Sequence, residues 1–169
     1  KVVTSAGMFS VSGEGYATTG GFFADGVSYT AADEPLLVDL LRAAAACNDA
    51  EFRQQDNRPT VVGDPTEVAL LVVAAKGGIS RDRIESEIPR LGTLPFDSDR
   101  KCMTVMRSRE GRSWAFVKGA PEVIIERCTA IRTRQGMQAL TDSERARMLQ
   151  ASALMAHDAL RVLALAERP

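Results

Sequence analysis

Cysteine is scarce and unpaired in this chain. Cys47, Cys102 and Cys128 are odd in number, widely spaced and free of any Cys-x-x-Cys pair, which argues against a disulfide framework or a zinc site and fits a reducing cytosol. Histidine is scarcer still. His157 stands alone, so no Ser-His-Asp or Cys-His arrangement is built around it, and it is read as a helix-surface or core residue. Neither sign of charge prevails: 21 basic residues face 22 acidic ones, for a formal net charge of -1. Such a balance gives no field that would gather nucleic acid or an anionic membrane surface. The longest apolar stretches, Leu36 to Leu41 with Ala43 to Cys47 and Val68 to Ala75, are interrupted by charge or too short to cross a bilayer, and none is expected to be preceded by a signal peptide. Absent too are a Gly-x-x-x-x-Gly-Lys-Ser/Thr loop and a Gly-x-Gly-x-x-Gly opening a helix, the usual cradles for phosphate.

The rest of the composition is ordinary. Hydrophobic residues make up 45% and charged residues 25% of 169, enough for one domain, residues 1–169, that buries a core without disulfides or a structural metal. There is no internal repeat, low-complexity segment or dividing linker. Lys1 in place of a methionine, and a strand-like run from Val162 to Ala166 close to the end, are read as marks of a piece of something larger.

The opening, Lys1 to Gly26, mixes β-prone pieces with turn residues and predicts strands and loops. A helix follows, capped by Asp33 or Glu34, with Pro35 in its first turn and Leu36, Leu37, Leu40 and Leu41 at helical spacing; Asn48 and Asp49 end it. Glu51 to Pro59 reads as a polar loop. A second helix has Asp64 as N-cap, Pro65 at its first position and Glu67 where a capping-box carboxylate sits, and Gly77 and Gly78 stop it. A short polar helix is expected around Arg81 to Glu87. Strands follow at Leu91 to Phe96, Cys102 to Arg107 and Ser113 to Lys118, the last two joined through a Glu110-Gly111 turn. Pro121 begins a short helix, a β-prone pair flanks Gln135-Gly136, and Thr141 with Glu144 forms a capping box for a long helix towards His157. This succession predicts an α+β fold, a mainly antiparallel twisted sheet flanked by helices.

Chemistry concentrates in four stretches: Gly63-Asp64-Pro65-Thr66-Glu67, Leu94 to Lys101, Phe116 to Glu122, and Leu160 to Ala166. Phe96 ends an apolar strand and meets a charged turn, so its ring belongs at the sheet rim, where it is either a core phenylalanine or a platform for a base, with Arg100 and Lys101 close enough to neutralise phosphate. Strand alternation puts Lys118 on the face of Trp114 and Phe116. It holds an anion there or lays its stem on apolar surface with its head in water. Gly119 permits close approach of a ligand or another backbone. Glu67 either bonds back to its own helix cap or accepts from an exocyclic amine. Arg161 precedes a buried-looking strand and either grips phosphate or forms a surface ion pair.

In this order GDPTE, PFDSDRK, FVKGAPE and LRVLALA resemble the nucleotide-binding domain of P-type ATPases of the type II branch, which includes calcium pumps and the sodium/potassium pump. KGAPE is the more specific of these motifs, and Gly13-Glu14-Gly15-Tyr16 resembles the start of that domain in calcium-pump-like members. The resemblance implies that Phe96 stacks on adenine, Glu67 contacts its amino edge, Lys101 and Lys118 line the pocket, and Arg161 holds the phosphate chain. Asp97 and Cys102 stand where related pumps often carry other residues. The ligand implied is ATP, with Mg2+ held mainly outside this chain. The implied partners are the phosphorylation and actuator domains of the same pump, in the cytoplasmic part of an integral membrane protein, with no nucleic acid.

No catalytic or metal-binding residue is expected, because the family's Asp-Lys-Thr-Gly-Thr and Gly-Asp-Gly-x-Asn-Asp motifs do not occur here; the chain alone would be a monomer that binds ATP without hydrolysing it. Calcium is the leading expectation for the transported ion. Lys1 and Pro169 are expected to meet in a two-stranded hinge. Two other readings stay open: an interaction or regulatory module that kept the fold and lost nucleotide binding, and a free-standing phosphotransferase or hydrolase.

Overall fold

The computed structural model describes residues 1–55 and 58–169. It begins with an antiparallel sheet of β1 (Val2–Thr4), β2 (Gly7–Val11), β3 (Phe22–Ala24) and β4 (Val27–Tyr29) in sequence order. Phe9 and Phe22 point from it into the core, and the Phe9 ring meets Tyr29 edge to face at 5.5 Å. A short 3-10 turn, Ala31–Asp33, leads into α1 (Pro35–Ala46). The Glu34 side chain caps this helix through the Leu36 amide, and Pro35 takes the first position, where its missing N–H costs no hydrogen bond.

Helix α1 is the central strut. Ala43 to Ala46 are all buried, and their small side chains let the C-terminal half of the helix be enclosed on all sides. Leu37 and Leu41 are fully buried in the same core, with Ile84, Met103, Val105 and Phe116, each large side chain contributing roughly 1.5–3 kcal/mol of burial. A smaller cluster joins Ala50, Val68, Leu71 and Val72. Val61, packed against the latter, comes from a hairpin, β5 (Glu51–Gln55) and β6 (Arg58–Val62), where the sequence reads as a loop. The Asp56-Asn57 part of that reading lies outside the described residues.

Helix α2 (Pro65–Lys76) starts at Asp64, whose carboxylate accepts from the Thr66 amide, and α3 spans Arg81–Glu87. A second antiparallel sheet has the order β12-β9-β8-β7, from β7 (Arg90–Asp97), β8 (Cys102–Arg109), β9 (Arg112–Gly119) and β12 (Ala164–Arg168). Glu110 and Gly111, at φ 53° and 72°, form the turn between β8 and β9 in the conformation that matches hairpin twist. Between β9 and β12 come α4 (Pro121–Arg127), the hairpin β10 (Ala130–Thr133) and β11 (Gly136–Ala139), and α5 (Asp142–His157). The Thr141 and Glu144 capping box is formed.

The expected α+β class holds, with the strands among the described residues divided between two four-stranded sheets and two hairpins. The expected two-stranded pairing of the chain ends is not seen among the described residues, where β1 pairs with β2 and β12 with β9. The final strand also begins at Ala164 and is only partly buried, because it is a sheet edge with one paired side.

Gly119 serves another backbone. A Cβ there would sit 2.3 Å from the Lys101 carbonyl oxygen and 2.7 Å from Cys102 Cβ, inside van der Waals contact, so the β7–β8 turn seats on β9 only if residue 119 has no side chain. We expect Gly119→Ala to destabilise the domain by about 2 kcal/mol through overpacking, seen as a lower urea midpoint at unchanged slope.

Candidate functional site

One row of backbone pairs crosses the second sheet: Ala164 opposite Gly119, Gly119 opposite Cys102, and Cys102 opposite Asp97. Each sequence-predicted residue lies near this end of the sheet. Phe96 precedes Asp97, Lys101 precedes Cys102, Lys118 precedes Gly119, and Arg161 leads into Ala164. Strands stand ~4.8 Å apart, so the Phe96 and Lys118 backbones, separated by β8, are roughly 10 Å from each other.

Phe96 is 60% exposed. It sits inside a register shift between Leu94 and Asp97, a bulge that re-aims side chains at a sheet edge. The turn after it is built by Asp97, whose Oδ1 accepts from the amides of Asp99 and Arg100 at 3.0 and 2.8 Å. Lys101 closes the turn at φ 54° with its side chain exposed and its carbonyl accepting from the Ala120 amide at 3.0 Å.

Lys118 is 7% exposed, so the open alternative of a stem on the surface with its head in water does not apply. Its Nζ donates to the Cys47 carbonyl at 2.7 Å and to Glu67 Oε1. The first partner is at the C-terminal end of α1, where unsatisfied carbonyls favour a cation. The second corrects the capping-box reading of Glu67. The carboxylate does not turn back to its own cap; Asp64 caps α2 through Thr66, and Glu67 crosses to β9 as the counter-ion of a buried ammonium. Burial pushes the adjacent Cys47 thiol up to about 11, so it stays neutral beside the pair.

Arg161 is exposed and precedes the final strand. It lies close enough to Asp64 for its charge to help hold that carboxyl below the usual range, behind the larger effect of the Thr66 backbone hydrogen bond. Arg161 and Thr66 also reach a crevice of about 610 Å3 lined by Leu70, Val73, Ile124 and Leu163. Glu67, Phe96, Lys101 and Lys118 do not line that crevice. The arrangement therefore brings Glu67 and Lys118 into contact, sets Phe96 and Lys101 on one hairpin beside them, and leaves Arg161 near the start of α2.

The supporting roles of two residues escape sequence reading. Asn48 is fully buried, and its Nδ2 donates to the Glu67 carbonyl at 2.9 Å. Arg107, also fully buried, donates to the Ala46 and Ile88 carbonyls and, through both terminal nitrogens, to Glu85.

Comparison with known proteins gives the family. Residues 36–169 match the family model described as P-type ATPase, cytoplasmic domain N. The chain belongs to this family of cation-transporting ATPase domains. It is 37% identical to calcium-transporting ATPase 1 of Lactococcus lactis over 140 residues, which is 83% of this chain and 15% of that protein. It is 36% identical to the calcium-transporting ATPase of Bacillus subtilis over 94% of this chain and 18% of that protein. With mouse calcium-transporting ATPase type 2C member 1 it shares 35% identity over 99% of its length and 18% of the mouse protein. The chain thus spans less than a fifth of the length of these relatives. No helix among the described residues is long and apolar enough to cross a membrane.

Proposed function

We propose that this domain binds ATP at the end of the second sheet and presents the γ-phosphate to an aspartate carried by a separate phosphorylation domain of a cation pump. The observation that carries the reading is the buried Lys118 ammonium, held between Glu67 and the end of α1 at the same end of the sheet as the exposed Phe96 ring. A cation fixed in a dry setting beside an open aromatic surface suits a ligand with a flat base and an anionic tail. Phe96 stacks on the adenine. Glu67 keeps Lys118 on Oε1 and offers Oε2 to the exocyclic amine. Lys101 and Lys118 add positive charge along the pocket, and Arg161 holds the phosphate chain as a planar fork.

Mg2+ belongs with the phosphates and is held mainly by residues beyond this domain, as is the chemistry of phosphoryl transfer, which depends on positioned charge around the transferring group. One stacked base with a few charge-assisted contacts, less the cost of immobilising the ligand, gives a Kd on the order of tens of micromolar to millimolar. Calcium is the cation we assign to the whole pump, because the relatives named above are calcium-transporting ATPases.

The test is an NMR titration of the labelled domain with ATP and then GTP, repeated with Phe96→Ala. Saturable shifts should cluster at Glu67, Phe96 and Lys118 and favour ATP. Stacking is worth about 1–3 kcal/mol per base, so Phe96→Ala should weaken binding by about tenfold or more, while an exposed ring leaves the melting temperature almost unchanged. Absence of saturable shifts at several millimolar ATP would overturn the proposal in favour of an interaction module with this fold.

A further inference from the structure

Two consecutive residues at the end of α1 hold three walls of the proposed pocket. Asn48 has no accessible surface, and both polar atoms of its side chain are engaged. Its Nδ2 donates to the Ala44 carbonyl at 3.3 Å and the Glu67 carbonyl at 2.9 Å, and its Oδ1 accepts from the Ala50 amide at 2.8 Å. The Asn48 carbonyl accepts from Arg90 Nη2 at 2.6 Å, and Arg90 is the first residue of β7, the strand that ends with Phe96 and Asp97. One residue earlier, the Cys47 carbonyl accepts from Lys118. The start of α2, the end of β9 and the strand of Phe96 are therefore all fastened to this short link.

We propose that Asn48 is a positioning residue for base recognition, acting through Glu67; the inference rests on the nucleotide-binding reading given above. The Lys118 ammonium bridges two acceptors, the Cys47 carbonyl and Glu67 Oε1. Their separation is set by whatever ties α2 to the end of α1 at that height, and the Asn48 amide is the tie that reaches the Glu67 backbone itself. A carboxamide suits this place because it donates to two carbonyls and accepts from an amide at once. Without it the first turn of α2 can drift from Cys47, the ion pair follows, and Glu67 no longer faces the amino edge that separates adenine from guanine. Misplacement on the order of 1 Å is enough to weaken oriented contacts strongly.

The role separates from simple stabilisation by nucleotide preference. An amide that only stabilised the fold would lower the melting temperature and leave the ratio of ATP to GTP affinity unchanged. We therefore expect Asn48→Ala, and Asn48→Asp, which keeps the Ala50 hydrogen bond and turns a donor into an acceptor, to lose about five- to tenfold of the preference for ATP, with GTP affinity changed less than about twofold. In a Glu67→Gln background Asn48→Ala should have no further effect on the preference, since coupled residues fail to add. A folded Asn48 variant that keeps the wild-type preference would overturn the inference.

Should neither variant fold, the wild-type protein still decides. The Asn48 side-chain amide resonances should shift on adding ATP with the same midpoint as the Glu67 backbone amide, and an unmoved Asn48 amide at saturation overturns the role. If the wild-type domain shows no saturable ATP response in the first titration, the nucleotide reading itself falls, and this inference with it, before any Asn48 variant is made.

Discussion

Replacing Lys118 with methionine should lower stability by about 3 kcal/mol and abolish the ATP response together. The methionine fills the volume, but it leaves the Glu67 carboxylate, itself only 14% exposed, without its counter-ion, and the Cys47 carbonyl without its donor. Breaking one side of a buried pair costs roughly 3–5 kcal/mol, mainly because the remaining charge stays buried, and partial exposure of Glu67 puts the expectation at the lower end. Adding Glu67→Gln to Lys118→Met removes that stranded charge and should recover about half of the loss. It should not recover nucleotide binding, since the Glu67 carboxylate and the Lys118 ammonium of the proposed pocket are both gone. Urea unfolding at constant slope reads the first effect and ATP titration the second. A single variant that loses less than about 0.5 kcal/mol would mean that water already shares the pair, and the dry-cation argument would fail.

Much of this fold is legible in the sequence where local rules agree. Pro35 and the leucines after it mark α1, Thr141 with Glu144 marks α5, and Glu110-Gly111 marks the β8–β9 turn; each signal lies within a few residues of what it specifies. The strands bearing Phe96 and Lys118 are equally readable from their own residues. The hairpin β5–β6 is not readable in this way. Its strands leave Phe52 and Val62 over 40% exposed, so no apolar alternation separates Glu51 to Pro59 from a polar loop.

The capping-box reading of Glu67 fails for a different reason. A capping box is satisfied within four residues, whereas its partner Lys118 is 51 residues away, and only the fold, which brings the start of α2 to the end of β9, reveals it. Asn48 reads as a helix stop because asparagine often is one. Its second task, holding the start of α2, needs the same long-range knowledge. The site was therefore legible as a set of residue types in order, and illegible as a set of mutual contacts.

Arg107 lies at the extreme of that second kind, because burial of a charged side chain is the one thing hydrophobic patterning never proposes. It is 0% exposed on β8, yet it is richly partnered. Its Nε donates to the Ala46 carbonyl at 2.7 Å, Nη1 to the Ile88 carbonyl at 3.0 Å, and both terminal nitrogens to Glu85 at 3.0 and 2.8 Å. Ala46 ends α1 and Ile88 follows α3, so one guanidinium satisfies carbonyls at two helix ends, where cations are favoured. Its hydrogen bonds also hold the Glu85 carboxyl below the usual range.

Arg107→Leu should therefore cost about 3 kcal/mol, from buried carbonyls left without donors and a lost charge pair. In a domain of this size that lowers Tm by roughly 6–12 °C. Glu85→Gln should cost much less, since Glu85 is 35% exposed and the arginine keeps both helix carbonyls. Because Ala46 directly precedes the Cys47 carbonyl that holds Lys118, Arg107→Leu should also weaken ATP binding, though less than Lys118→Met. Equal losses of stability in the Arg107 and Glu85 variants would place the energy in the ion pair and remove the helix carbonyls from the account.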